Sequence, residues 1–226
     1  EAIVFSHGHF DHTMGIDGIL NDLGSQNTPI IIHPEFWNKR RIRLPGKTPR
    51  TLPTASKFAL QEGGLDVIEE SRLPSFLLNN SLLITGEVDR VTGYEKGLAG
   101  QEVFNEGSWQ PDPLTLDDQA LIANIRGKGL IIVTGCGHSG IVNICNYAKK
   151  LTAEDKIHAI IGGFHLPDGL DTATIQNTIS DLKSLDPEWL VPAHCTGQKA
   201  ILSLVKELPN SIIQNSVGSQ YEFSSF

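Results

Sequence analysis

Ser6-His7-Gly8-His9-Phe10-Asp11-His12-Thr13-Met14-Gly15 places three imidazoles and one carboxylate, all able to bind a metal ion, within one short turn. Just before it, Ala2-Ile3-Val4-Phe5 is apolar and rich in β-forming residues, and just after it Met14 to Leu23 has helical spacing. The ligands therefore sit where a buried strand hands over to a helix, which is where α/β proteins place their chemistry. Imidazole and carboxylate suit borderline divalent ions such as zinc, and side chains this close in sequence cannot all turn away from one another. The turn implies one or two metal ions per chain, zinc first, with iron or manganese as alternatives. A merely polar loop gives no reason to concentrate His7, His9, Asp11 and His12 between two apolar segments.

The second half of the chain repeats a strand, turn and helix three times. Leu130 to Thr134 runs into GCGHSG and a helix from Ile141 to Leu151. Ile157 to Ile161 runs into GGFHLPDG and a helix from Thr172 to Leu185, and Trp189 to Val191 runs into PAHCTG and a helix from Gln198 to Leu208. Each turn carries one histidine: His138, His165 and His194. All three occupy the carboxyl end of a strand, where neighbouring strand ends converge. Three unrelated helix-capping histidines would be a threefold coincidence.

Composition narrows the remaining classes. The 226 residues, 39% hydrophobic, suffice for one sizeable core, so a single domain over residues 1–226 is expected. Lys plus Arg is 18 against 26 Asp plus Glu, and the resulting net charge of -8 disfavours nucleic acid as a partner. Cys136, Cys145 and Cys195 are odd in number and lack C-x-x-C spacing, which suggests neither a disulfide framework nor a zinc ribbon and fits a reducing cytoplasm. No stretch reads as a membrane span or signal peptide.

Between the ligand turn and the repeats, Pro29 to His33 reads as a second buried strand, and His33 serves equally well as a backbone-satisfied residue or a support. Lys39 to Thr54, KRRIRLPGKTPRTLPT, is basic and broken by Pro45, Pro49 and Pro53, so it reads as an exposed loop that is either solvated or draws an anionic substrate inward. Leu65 to Ile68 and Ser81 to Thr85 read as strands. Gly97 to Leu114, rich in Gly, Pro and polar residues, reads as a long loop with Trp109 as its anchor. Gln119 to Ile125 pairs with Leu130 to Thr134 as a hairpin.

The string H-x-H-x-D-H formed by His7, His9, Asp11 and His12 resembles the signature of the metallo-β-lactamase superfamily. TGCGHSGIVN, IGGFHL, PAHCTG and VGSQYEF resemble, within it, the branch of dihydropterin ribofuranosylaminobenzene phosphate synthases and their bacterial relatives. The resemblance spans essentially the whole chain. It implies an αββα sandwich of two mixed sheets with helices outside, here lacking its first N-terminal strands. It also implies a metal site in which His7 and His9 hold one ion and Asp11, His12 and His194 a second, with His138 completing the first. The bridging aspartate usual in the superfamily has no counterpart at Thr134-Gly135-Cys136, which argues against an efficient β-lactamase and leaves Cys136 as either a ligand or a small buried side chain.

A metal ion so held lowers the pKa of bound water from about 15.7 to about 7, so hydrolysis is the expected reaction. Asp11 is the expected proton acceptor and His165 the donor to a leaving group. The substrate class is a small, anionic phosphoester, lactone or related ester, with a pterin-pathway transferase or a non-enzymatic metal protein as alternatives. Because only Glu1 to Phe5 precede the signature, the sequence reads as an N-terminally shortened chain whose Ala2 to Phe5 edge would be covered by another copy in a homo-oligomer.

Overall fold

The computed structural model describes residues 2–16, 18 and 27–224. The chain begins with β1 (Ile3–Val4), α1 (Phe10–Thr13), β2 (Thr28–Ile31), β3 (Arg40–Ile42), β4 (Arg50–Thr51), α2 (Lys57–Glu62) and β5 (Leu65–Ile68). It continues through β6 (Ser75–Leu77), β7 (Leu82–Ile84), β8 (Gln101–Asn105), β9 (Ser108–Pro111), β10 (Ala120–Ile125) and β11 (Gly129–Thr134). Three units close it: α3 (Ile141–Thr152), β12 (Ile157–Gly163), α4 (Thr172–Leu185), β13 (Trp189–Ala193) and α5 (Gln198–Glu207).

Runs of β-branched residues bounded by glycine build the larger sheet, ordered β13-β12-β11-β10-β7-β6. β11, β12 and β13 are parallel because a helix returns the chain after each, whereas β10 is antiparallel to β11 through the turn that pairs Ile125 with Gly129. Leu130, Ile132, Ile157, Ile160 and Leu190 face α3, α4 and α5, whose Ile144, Ile179, Leu182 and Leu204 complete the main core. Asp171 caps α4 by accepting from Thr174 N at 2.8 Å.

β1, β2 and β5 form a smaller parallel sheet, backed by a second core of Ile30, Ile32, Phe36, Leu60 and Leu65. Ile31 and Ile131 are buried but point to the other side of their strands, into the interval between the two sheets. The sheets are tied where β1 ends: Gln119 N donates to Ser6 O at 2.9 Å and Gln119 Nε2 to Phe5 O at 2.8 Å. Helices thus lie outside two sheets, as expected. β1 forms the edge of its sheet and pairs only with β2 among the described residues.

Two readings of the middle region need correction. Gly97 to Leu114 is not a loop: it holds the hairpin β8–β9, which joins β3 and β4 in an antiparallel four-stranded sheet. The basic run is not simply an exposed loop either, since it supplies β3 and β4, and Arg40 is only 2% exposed. Both segments lack long apolar runs because this sheet pairs charged neighbours laterally: Arg41 and Arg43 both bond Glu102 across the strands. Trp109 lies beneath the Arg41 guanidinium at 4.2 Å and beside Phe104 rather than anchoring a loop. α2 and β6 were not legible in the sequence, and the helical reading of Met14 to Leu23 falls largely on residues 17 and 19–26, outside the described residues. No helix among the described residues is long and apolar enough to cross a membrane.

Candidate metal centre

The turn after β1 folds back so that His7 is fully buried with its ring against those of His9, His12 and His138, at centroid distances of 4.6, 4.4 and 4.7 Å. His7 Nε2 lies 3.0 Å from His9 Nδ1. A second gathering stands beside it: His12 Nε2 is 3.0 Å from His194 Nε2 and 3.1 Å from Cys136 Sγ, and His194 Nε2 is 3.1 Å from Asp11 Oδ2. The six residues expected as ligands are thus brought together, in two adjoining groups. Asp11, expected as a base, lies in the second group.

Supporting residues fix these orientations. His9 Nε2 is 2.7 Å from Gln101 Oε1, and the Gln101 amide nitrogen donates to Asp112 O and Thr115 Oγ1 at 3.0 Å. The oxygen therefore faces His9, which must donate through Nε2 and present a bare Nδ1 to the centre. Asp117 Oδ2 accepts Gly8 N at 2.7 Å, holding the backbone between the first two histidines. Only glycine fits at position 8, because a Cβ there would sit 2.2 Å from Phe36 O. Asp118 Oδ1 lies 4.0 Å from His7 Nδ1.

Gln101, Arg40, Asp117 and Asp118 escaped the sequence reading. The acidic pair just before β10 was a weak signal; Gln101 had none. Gln101→Ala should weaken metal affinity about 10–100-fold, the usual cost of losing a group that orients a ligand. Competition with a chelating dye measures it, and an unchanged affinity would mean that the His9 ring is held by something else.

His33 takes no part in either group. Its Nδ1 accepts Glu35 N at 3.1 Å and its Nε2 pairs with Glu87 at 3.0 Å, so the backbone-satisfied reading holds with a carboxylate added. His165 stacks on His138 at 4.1 Å, with a buried Nδ1 that finds no partner among the described residues. Both His165 (φ 45°) and His194 (φ 49°) adopt the left-handed conformation, a strained state for side-chain-bearing residues that the strand ends of β12 and β13 impose. A cavity of about 410 Å³ opens on His138 and His165 and is lined also by Tyr94, Glu95 and Lys96. That volume suits a small molecule.

The donor set fits a metal ion. Both ring nitrogens of His138 are buried without a hydrogen-bond partner among the described residues, a costly arrangement unless they face a ligand. Burial, then the neighbouring imidazoles, holds His7 and His138 well below the usual histidine range, which keeps them in the neutral, metal-binding form. His9, His12 and His33 are lowered too, each first by burial.

These shifts set a pH dependence. Above the ordinary value of 6.5 neither folded nor unfolded histidines carry a proton, so the shifts cost nothing. Below it the unfolded chain takes up protons that the folded one refuses, and stability falls. Asp118, pushed up to about 6 by burial, and Glu95, raised by burial too, work in the opposite sense, but they are two groups against five. In the presence of a chelator, Tm should therefore drop steadily as pH is lowered from 7 through 6.5 towards about 5. Calorimetry checks this, and a flat or rising Tm would contradict it.

An αββα sandwich with clustered imidazoles at its strand ends is the metallo-β-lactamase fold, and this chain has it. Among solved structures, a metal-dependent hydrolase of the β-lactamase superfamily superposes with a TM-score of 0.82 at 23% identity, over 98% of this chain and 79% of that one. The chain belongs to the family of the 7,8-dihydropterin-6-methyl-4-(β-D-ribofuranosyl)-aminobenzene-5'-phosphate synthase of Methanocaldococcus jannaschii, with 32% identity over 232 residues, covering 99% of this chain and 75% of the relative. An uncharacterised protein of the same organism is also 32% identical, over 96% of this chain and 77% of its own length. No family model matches the chain.

Proposed function

We propose that this protein is a metal-dependent hydrolase of a small anionic ester, a phosphoester or lactone, with His7, His9, Asp11, His12, His138 and His194 holding one or two zinc ions. The observation that carries this reading is the small-molecule cavity opening directly on His138 and His165. When bound, the ion supplies a Lewis acid and brings the pKa of its water to about 7. The chain's own groups do the rest. Lys96, on the cavity wall, attracts the anionic end of the substrate; Arg40, Arg41 and Arg43 do not, being paired with Asp112, Asp117 and Glu102. Asp11, in the second group of donors, accepts a proton where it is not fully engaged as a ligand. His165, on the cavity wall, donates a hydrogen bond or proton to the leaving group. The three cysteines are free, which supports the cytoplasm as the place of work.

The named relative favours a second reading, a pterin-pathway transferase, whose ligand would also carry a phosphate ester. The test is a panel of activated phosphomonoesters, phosphodiesters and lactones with metal-loaded protein, beside a binding assay with a reduced pterin. Slow turnover abolished by a chelator, with weak or no action on nitrocefin, supports the hydrolase. Tight pterin binding without any ester turnover supports the transferase.

A further inference from the structure

Cys136 stands between the two groups of ligands. Its sulfur falls within 4.8 Å of donor atoms of Asp11, His12 and His194 on one side and of His7 and His138 on the other. Two donors of one tetrahedral ion, each about 2.0–2.3 Å from it, are themselves about 3.5 Å apart. The 3.1 Å from His12 Nε2 to Cys136 Sγ is compatible with such sharing. Cys136 is only 4% exposed, so little solvent competes for the sulfur, and the turn after β11 holds it rigidly: a Cβ on Gly135 would sit 2.1 Å from Ser6 Oγ. An independent observation points the same way. His138, two residues on and 3% exposed, has no hydrogen-bond partner among the described residues for either ring nitrogen, and one of these nitrogens lies within 4.8 Å of the sulfur.

We propose that Cys136 is the ligand shared by the two metal positions, its thiolate bridging the ion held by His7, His9 and His138 and the ion held by Asp11, His12 and His194. The inference rests on the metal-site reading above and deepens it. On binding, the S–H bond breaks, its proton passes to solvent, and the sulfur electron pairs go to the two ions. A soft sulfur at the junction favours zinc or iron over magnesium or calcium. Cys195 stands apart from this place: its Sγ donates to Cys136 O at 3.1 Å and belongs to neither group of converging donors.

X-ray absorption on the zinc-loaded full chain tests this directly. A bridging thiolate gives about one sulfur per zinc at about 2.3 Å with two zinc ions per chain, whereas a sulfur on one ion gives half that number. Substitution by cobalt should add a sulfur-to-metal charge-transfer band that Cys136→Ser abolishes and Cys195→Ser retains. Two ions bound without sulfur scattering, or with one sulfur for two zincs, would overturn the bridge and leave the metal site standing. A single ion per chain would overturn the bridge too, and no bound metal at all would overturn the site itself. Should Cys136→Ser fail to fold, the wild-type sulfur count alone decides.

Discussion

His7→Ala should bind metal more weakly by well over the 10–100-fold that loss of a supporting group costs, and should show no measurable turnover. The size of the effect follows from where His7 stands. It is fully buried, touches three other imidazoles, and presents Nε2 3.0 Å from His9 Nδ1, so no neighbouring side chain or water can replace it. The loss is a failure of ligation rather than of folding, since the main core beneath α3, α4 and α5 does not include residue 7. Equilibrium dialysis with metal analysis, beside a thermal melt in chelator, separates the two. Full, tightly held metal in His7→Ala would mean that the ions sit elsewhere. Lost metal accompanied by a collapsed melt would mean instead that the histidine cluster is primarily structural.

What could be read from the chain alone divides along the range of the interactions involved. The ligand turn was legible because its chemistry is contiguous. The three closing units were legible because buried parallel strands need unbroken apolar runs, and α4 begins and ends where Asp171 and Asp186 say it should. The β3–β4–β8–β9 sheet was not, because its strands are short and largely polar and β3 finds β8 some sixty positions along the chain. The same holds at the site. Gln101 matters because it meets His9 ninety-two positions away, and Asp117 because it meets Gly8 and Arg40, and no local pattern announces such pairings.

Arg40→Met should lower stability by about 3–5 kcal/mol, because it strands buried charge rather than merely deleting a contact. Arg40 donates to Asp112 Oδ2 at 2.9 Å and straddles Asp117 at 2.7 and 3.2 Å. Asp117 is fully buried, so without the guanidinium its carboxylate keeps only the Gly8 N–H as a partner among these. That loss is a large part of the roughly 5–15 kcal/mol by which a domain of this kind is stable. It also reaches the metal, since Asp117 holds the backbone between His7 and His9. Pairing the change with Asp117→Asn discriminates charge from packing: the double variant has no stranded aspartate at 117, so it should be more stable than Arg40→Met alone, a non-additivity that denaturant unfolding at fixed pH reads out. Where the single variant does not accumulate, recovery of folded protein in the double variant gives the same answer. Strict additivity, or a cost of the single change below about 1 kcal/mol, would show that the pair does not hold the ligand turn in place.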